Sequence, residues 1–293
     1  MSTPKLGALR PNYFRFSLGD FEVTTILEGA IPMGISPPFL LEESAEEIAA
    51  IAGAARLPKD RLENNFIPAL VNTGEALVLI DTGCGHFRRE KGAGFLLDRL
   101  AGAGYAPQDI DVVMITHVHP DHIGGLLENG DLAFPNAQLM IGRREFEAWS
   151  DGSEIPPQRT ENHEMFLNLV APLKDHFRFL DDGDEIVPGL TAEVAFGHSL
   201  GHMMVRVTSG EAACLIWGDV ANHSVFSLEH PDSKVGFDDD KPQAIATRNR
   251  VLSETAASGV LVVGHHMPFP GVGYVLRDDS GFQWRPVSYQ PFL

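Results

Sequence analysis

Short apolar runs bounded by turn residues recur along the chain, with segments of helical spacing between them. The run 112–115 has three β-branched residues among four apolar ones, which is typical of a buried strand. Alternation at 21–27 predicts a first strand, and residues 69–80 predict a hairpin that turns at 73–75. Further strands are predicted at 137–141, 190–196, 203–208, 213–217 and 260–263, with a second hairpin at 273–287 that turns at 278–281.

Apolar residues at helical spacing predict helices between these strands. The clearest stripe joins Ala244, Ile245, Val251, Leu252 and Ala256. Helices are predicted at 42–55, 94–103, 143–150, 161–174 and 242–257. Because helices and hairpins alternate with strands in both halves, we predict an α+β fold. Its form would be a four-layer αββα sandwich, two β-sheets face to face with helices outside.

Nothing in the sequence divides the chain into separate domains. Its 293 residues can bury one large core, and we find neither a linker nor a low-complexity segment. We therefore predict a single domain over 1–293, with residues 1–15 as an N-terminal arm. Residues 28–40 combine Gly and Pro with Ile, Met and Phe, and are predicted to form an ordered loop. The segment 28–64 is expected either to cover the pocket as a lid or to form a dimer contact.

The composition is that of an ordinary soluble globular protein, and it limits the possible partners. No apolar run is long enough to span a bilayer, and residues 1–15 lack an apolar signal segment. We therefore expect a cytoplasmic protein without a membrane partner, in which Cys84 and Cys214 are reduced thiols. The formal net charge is −18 and there is no basic stripe, so nucleic acid is not expected to bind.

Four side chains that can bind a metal follow the strand 112–115 within six residues. They are His117, His119, Asp121 and His122. His117 and His119 are two positions apart, so in an extended chain their imidazoles project to the same side. The cluster lies where a strand ends, which is where open α/β sheets place their sites. These histidine and carboxylate ligands suit two borderline divalent ions, most simply zinc.

More histidines and aspartates occupy the corresponding position after other predicted strands. Ligands that are far apart in sequence meet when the ends of their strands face one cleft. We therefore predict one metal site that is built from both halves of the chain. The residues are Asp81, His198, His202, Asp219, His265 and His266.

The order of these motifs resembles the metallo-β-lactamase superfamily over essentially the whole chain from about residue 20. The motifs are Asp-Thr-Gly at 81–83, His-x-His-x-Asp-His at 117–122, Gly-His at 197–198, Gly-Asp at 218–219 and Gly-x-His at 264–266. Three further motifs resemble the subgroup of methyl parathion hydrolase and related lactonases. They are Phe-Pro-Asn-Ala at 134–137, Trp-Gly-Asp at 217–219 and His-Met-Pro-Phe-Pro-Gly at 266–271.

The resemblance implies that two zinc ions share these ligands. It assigns His117, His119 and His198 to one ion, Asp121, His122 and a final histidine to the other, and Asp219 to both as a bridge. Asp121 and Asp219 are thereby expected to be catalytic. Asp81 and His202 would support the ligands through hydrogen bonds, which metal-bound imidazoles and carboxylates need.

Two positions need separate treatment. A simple Gly-His pattern selects His265 as the final ligand, whereas the Pro-Phe-Pro-Gly spacing of the resembling subgroup selects His266, which we favour. Asn222 stands where some lactonases carry Tyr and methyl parathion hydrolase carries His. We therefore do not assign to Asn222 the role in binding a substrate carbonyl or a leaving group that Tyr or His at this position implies.

The resemblance implies a dinuclear zinc hydrolase that cleaves lactones or aryl esters with a metal-bridging hydroxide as nucleophile. Two alternatives stay open: an organophosphate triester hydrolase of the methyl parathion hydrolase type, and a di-iron redox protein on the same scaffold. Other divalent metals could replace zinc, and family habit suggests a homodimer. Aromatic residues that could line a weakly polar pocket are Phe39, Phe66, Trp149, Phe196, Phe226 and Phe269.

Overall fold

The first half of the chain forms a seven-stranded sheet in the computed structural model, which describes residues 3, 5, 9–36, 38–279 and 281–289. The strands in this half of the chain are β1 (Tyr13–Leu18), β2 (Phe21–Ile26), β3 (Gly29–Gly34), β4 (Arg61–Phe66), β5 (Ala69–Asn72), β6 (Leu77–Ile80), β7 (Val112–Ile115), β8 (Leu127–Glu128), β9 (Asp131–Leu132), β10 (Gln138–Gly142) and β11 (Phe177–Leu180). The sheet has the order β1-β2-β5-β6-β7-β10-β11, and β6, β7, β10 and β11 run parallel. Separate antiparallel ribbons pair β3 with β4 and β8 with β9.

The second half forms another seven-stranded sheet, in which each strand pairs with the next one along the chain. Its strands are β12 (Glu185–Val187), β13 (Leu190–Val194), β14 (Met203–Ser209), β15 (Ala212–Ile216), β16 (Leu261–Val263), β17 (Val272–Asp278) and β18 (Gly281–Pro286). All neighbours are antiparallel except β15 and β16, which are parallel.

Helices connect the strands and cover the outer faces of both sheets. The α-helices are α1 (Ala45–Ala54), α2 (Leu96–Ala103), α3 (Pro120–Ile123), α4 (Arg143–Asp151), α5 (Thr160–Leu169) and α6 (Lys241–Ser258). Short 3₁₀ helices occupy Gly85–Lys91, Pro107–Asp109, Pro157–Arg159 and Ala171–His176. Within the described residues, no helix combines the length and the hydrophobicity that crossing a bilayer requires.

Alternation of side chains along the strands creates three layers of core. In β6, Val78 and Ile80 pack between the two sheets, whereas Leu79 packs with residues of α2, α4 and α5 on the outer face. In the second sheet, Leu215 packs outward against Leu252 of α6. The predicted four-layer α+β sandwich is therefore confirmed.

Each predicted strand and helix overlaps an observed one, but the prediction of a loop at 28–40 is wrong for residues 29–34. Residues 29–34 form β3, which pairs with β4, a strand that the sequence pattern did not indicate. The sequence pattern does not indicate these two strands, because Pro32 inside β3 and the polar residues of β4 both disfavour strand formation. The helix predicted at 161–174 ends as α5 at Leu169, since Pro172 cannot continue the hydrogen-bond ladder.

Four more strands lacked a clear pattern in the sequence and were not predicted: β1, β8, β9 and β12. β11 was also missed, because its residues fell between a predicted helix and a predicted strand. The predicted turn at 278–281 includes residue 280, which lies outside the described residues.

The carboxyl ends of several strands from both sheets meet at one edge of the sandwich. The parallel pair β6 and β7 places the residues after Ile80 and Ile115 side by side. In the second sheet β13, β15 and β16 point the same way. The two groups are joined where the backbone N–H of Met203 donates to the carbonyl of Thr116 at 3.0 Å.

A buried carboxylate ties the loops at this edge together. Glu145, on α4, accepts hydrogen bonds from the N–H of Val118 at 2.9 Å, the hydroxyl of Ser199 at 2.5 Å and the N–H of Gly201 at 2.6 Å. Burial raises the pKa of Glu145 to about 7 even though these hydrogen bonds lower it. One side chain thus holds both the loop after β7 and the loop after β13.

We expect Glu145→Ala to lower the free energy of unfolding by about 3 kcal/mol, because it leaves three buried donors without their acceptor. Glu147→Ala provides the matched control on the same helix, since Glu147 is exposed. It should change stability by less than about 0.5 kcal/mol. Chemical denaturation of the two variants measures this difference, and equal stabilities would contradict the role assigned to Glu145.

Candidate metal centre

Three buried histidines direct ring nitrogens at one another at this edge. His117 and His119 lie on the loop after β7, and His198 follows β13. Nδ1 of His119 lies 3.1 Å from Nε2 of His117 and 3.0 Å from Nε2 of His198. Ring nitrogens that converge in this way share a proton or bind a cation, and three imidazoles are a common zinc-binding set. The cluster therefore fits a metal ion.

A second cluster lies beside the first. Asp121 and His122 belong to the one-turn helix α3, and His265 and His266 follow β16. Each offers one ligand atom within 4.8 Å of those of the other three. The three histidines are buried and Asp121 is partly exposed. A carboxylate with imidazoles also suits zinc.

Asp219 lies between the two clusters. Its Oδ2 is 3.2 Å from Nε2 of His198 and 2.9 Å from Nε2 of His266, and its Oδ1 is 3.3 Å from Nε2 of His122. The preceding Gly218 has φ +55°, and a Cβ there would lie 2.5 Å from a ring nitrogen of His202. Only glycine therefore allows the chain to bring Asp219 to this position.

The charges of the site are compatible with bound cations. Although burial raises the pKa of a carboxyl group, His266, His122 and His198 hold the pKa of Asp219 well below its usual value. Burial lowers the pKa of His198, but Asp219 and Asp238 outweigh that effect and raise it to about 9. Among the described residues, Nε2 of His122 and Oδ1 of Asp219 are buried without a hydrogen bond of good geometry. Divalent ions at these positions would satisfy both atoms and replace the protons.

Each of five histidines has its other ring nitrogen held by a hydrogen bond, which fixes the nitrogen that faces the cluster. The pairs are His117 Nδ1 with Thr116 Oγ1 at 3.1 Å, His119 Nε2 with Asp239 Oδ2 at 3.1 Å, His122 Nδ1 with Asp81 Oδ2 at 2.8 Å, His198 Nδ1 with Asp238 Oδ1 at 3.0 Å and His266 Nδ1 with the carbonyl of Asn65 at 2.8 Å.

Asp81 and His202, the two predicted supporting residues, contact predicted ligands. Asp81 has φ +64°, a strained value for a non-glycine residue, and its Oδ1 accepts the N–H of Thr116 at 2.8 Å. His202 donates from Nδ1 to the carbonyl of Ala195 at 3.0 Å and accepts the N–H of Asp219 at Nε2 at 3.1 Å. Because both of its ring nitrogens are engaged, His202 supports Asp219 and has no lone pair left for a metal.

The two final histidines differ in what holds them. His266 is fixed by the carbonyl of Asn65 and directs Nε2 at Asp219, as His122 and His198 do. His265 packs on the ring of His122 with centroids 4.2 Å apart, and its buried Nε2 has no hydrogen-bond partner among the described residues. The geometry favours His266 and leaves His265 as a neighbouring alternative.

Asp238 and Asp239 were not singled out in the sequence, although each contacts a candidate ligand. They belong to a run of three aspartates before α6, which has the pattern of a solvated charge cluster with a helix cap. Only Asp240 behaves as the pattern indicates, by accepting the N–H of Gln243 at 3.1 Å. No local pattern in the sequence distinguishes the other two.

A cavity of about 280 Å³ opens above both clusters. Of the six aromatic residues considered from the sequence, only Phe66 lines it, and Phe39, Trp149 and Phe226 are buried in the core. The apolar side of the cavity consists of Ile31, Met33, Phe66 and Phe237. Two of these residues come from β3, the strand that was expected to be a loop.

Asn222 and Cys84 also line the cavity. The side-chain amide of Asn222 donates to Oδ2 of Asp219 at 3.0 Å, so this residue contacts a candidate ligand directly. Cys84 is buried, and burial together with Glu28 raises the pKa of its thiol, which keeps it protonated. Cys84 therefore lines the cavity and does not act as a nucleophile.

Curated relatives of the chain include N-acyl homoserine lactonases. That of Bacillus cereus is 26% identical over 141 residues, which cover 48% of this chain and 50% of the relative, so the chain spans half of that protein's length. That of Bacillus thuringiensis is 26% identical over 58% of this chain and 68% of the relative. Human metallo-beta-lactamase domain-containing protein 1 is 31% identical over 72% of this chain and 65% of the relative.

Solved structures share the fold over nearly the whole chain. AidC, described as a dizinc quorum-quenching lactonase in complex with a homoserine product, is 27% identical with a TM-score of 0.89, covering 95% of this chain and 98% of AidC. The hydrolase AbOPH is 24% identical with a TM-score of 0.87, covering 97% and 100%, which shows a shared fold alone. The family model of the metallo-beta-lactamase superfamily matches residues 69–276. The chain belongs to the metallo-beta-lactamase superfamily.

Proposed function

We propose that this protein is a dinuclear zinc hydrolase that opens lactones, with N-acyl homoserine lactones as the first substrate class. One observation carries the proposal: two ligand clusters share Asp219 beneath a single cavity. The likeness to a dizinc lactonase over 95% of the chain supports both the metal and the reaction.

The ligands under this proposal are those implied by the resemblance. When bound, a pair of zinc ions activates water at neutral pH and polarises the carbonyl oxygen of the substrate. His117, His119 and His198 would hold one ion, Asp121, His122 and His266 the other, and Asp219 both.

The chain's own residues keep these ligands ready for the metal. The pKa of Asp121, which burial raises and His122 and His266 lower, falls to about 2, so its carboxylate stays ionised. Thr116 and Asp81 orient His117 and His122 from behind through hydrogen bonds. Glu145 fixes the loops that carry the first cluster.

The walls of the cavity suit a substrate with a polar head and an apolar tail. Ile31, Met33 and Phe66 give an apolar side that can cover an acyl chain, while Asn64 and Asn162 offer amide groups to the same cavity. A lactone ring with an amide-linked acyl chain carries both kinds of surface. Aryl esters would match only the apolar side of the cavity, so we propose them as the second substrate class.

Metal analysis and a substrate panel test the proposal. The purified protein should contain two zinc ions per chain, and removal by a chelator should abolish hydrolysis until zinc is restored. We expect kcat/KM for an N-acyl homoserine lactone to exceed that for an aryl ester or a phosphotriester by at least about tenfold, which is about 1.4 kcal/mol of transition-state stabilisation.

Each outcome of that panel has one meaning. Zinc-loaded protein that is inactive on all three substrate classes would overturn the proposed hydrolase. A preference for the phosphotriester would transfer the assignment to that class. A coloured protein with two iron ions would favour the redox alternative, because zinc is colourless.

Single substitutions distinguish the final ligand. We expect His266→Ala to lose one zinc ion and to lower kcat/KM at least about 100-fold, because a zinc ligand is removed. His265→Ala is the matched control from the adjacent position and should keep two ions. Zinc content by elemental analysis, measured together with hydrolysis, decides between them, and the reverse result would make His265 the ligand.

A further inference from the structure

Two neighbouring aspartates support two histidines of the same cluster from one turn of the chain. Oδ1 of Asp238 accepts from Nδ1 of His198 at 3.0 Å, and Oδ2 of Asp239 accepts from Nε2 of His119 at 3.1 Å. A carboxylate can only accept, so both ring nitrogens must carry the hydrogen. The opposite nitrogens, Nε2 of His198 and Nδ1 of His119, lie 3.0 Å apart within the cluster.

The second carboxylate oxygen of each aspartate accepts a hydrogen bond from an arginine. Arg248 donates to Oδ2 of Asp238 at 2.7 Å, and both side chains are almost fully buried. Arg159 donates from Nε to Oδ1 of Asp239 at 2.6 Å. Because arginine is always protonated and only donates, each carboxylate is held between a fixed donor and a histidine N–H.

The backbone of this turn is attached to the loop that carries His198. The N–H of Asp239 donates to the carbonyl of His198 at 3.0 Å, and that of Asp240 to the carbonyl of Gly197 at 2.9 Å. Gly197 permits this contact, because a Cβ there would lie 2.2 Å from the backbone nitrogen of Ala244 in α6. The turn and the ligand loop therefore move as one unit.

We infer that the pairs Arg248–Asp238 and Arg159–Asp239 are positioning residues that set the tautomers of His198 and His119 for metal binding. The inference rests on the proposed metal site. An asparagine at 238 or 239 has one acceptor oxygen and one donor NH₂. If its oxygen remains on the arginine, its NH₂ faces the histidine, which then accepts there and carries its hydrogen on the nitrogen that should face the metal.

The test replaces each of the three consecutive aspartates, Asp238, Asp239 and Asp240, by asparagine in turn. Asp238→Asn and Asp239→Asn should each weaken zinc binding by about 10–100-fold in chelator competition. Asp240→Asn is the matched control, because Asp240 contacts no histidine ligand and asparagine caps a helix equally well. Its zinc affinity should equal that of the unchanged protein.

A second measurement separates positioning from general damage. In zinc-loaded protein with labelled histidines, the N–H proton resonances at Nδ1 of His198 and Nε2 of His119 should be visible by NMR. Asp239→Asn should remove or shift the His119 signal alone, and Asp238→Asn that of His198 alone. Arg159, the partner of Asp239, lines the cavity, whereas Arg248 is buried together with Asp238, so the Asp239 variant tests the inference even if loss of the Asp238–Arg248 pair prevents folding.

The outcomes separate this inference from the proposed function. Unchanged zinc affinity and unchanged ring N–H signals in Asp239→Asn, with two ions bound to the parent protein, would overturn the inference alone. A parent protein that binds no zinc overturns the metal site and the inference together. Weaker binding by Asp240→Asn to the same degree would show a general effect of charge and would also overturn the inference.

Discussion

A buried histidine can bind a metal only if the hydrogen on its ring is held elsewhere, and the whole edge of this sandwich meets that constraint. Each of the five histidines His117, His119, His122, His198 and His266 has a partner behind it, and the partners come from four different places in the chain. The two sheets bring the ligand-bearing loops together, because strands that run in the same direction end at the same edge of the sandwich. The loops carry the candidate ligands, and buried hydrogen bonds such as those of Glu145 fix the positions of these loops.

The sequence predicted the layers and the candidate ligands because both depend on local signals. Short apolar runs identified β6 and β7, and histidines and aspartates after strand ends identified the clusters. The ribbon of β3 and β4 could not be predicted in this way, since Pro32 and the polar residues of β4 give no strand signal and the two segments are stabilised by pairing with each other and by contacts with distant residues. Asp238 and Asp239 could not be predicted for a related reason, because an acidic run has the same pattern whether water or two arginines surround it. Arg159 lies 80 residues from Asp239, and nothing in the sequence marks Arg248, 10 residues from Asp238, as a partner.

The site combines high charge with deep burial, and the surrounding structure makes this possible. Asp219 contacts three histidines, and Asp238 and Asp239 each contact a histidine and an arginine. Such groups are costly to bury alone, and each of these carboxylates has a histidine or arginine partner within the buried site. The strained backbone of Asp81 fits this view, because its carboxylate is held by Thr116 and His122 on both oxygens.

Strand β4 serves the centre and the cavity through different atoms. Its backbone carbonyl at Asn65 holds His266, while the side chains of the flanking Asn64 and Phe66 form the cavity wall. A carbonyl group is common to all residues, whereas side chains are exchangeable. Substitutions at positions 64 and 66 can therefore change the lining of the cavity without removing the hydrogen bond that holds His266.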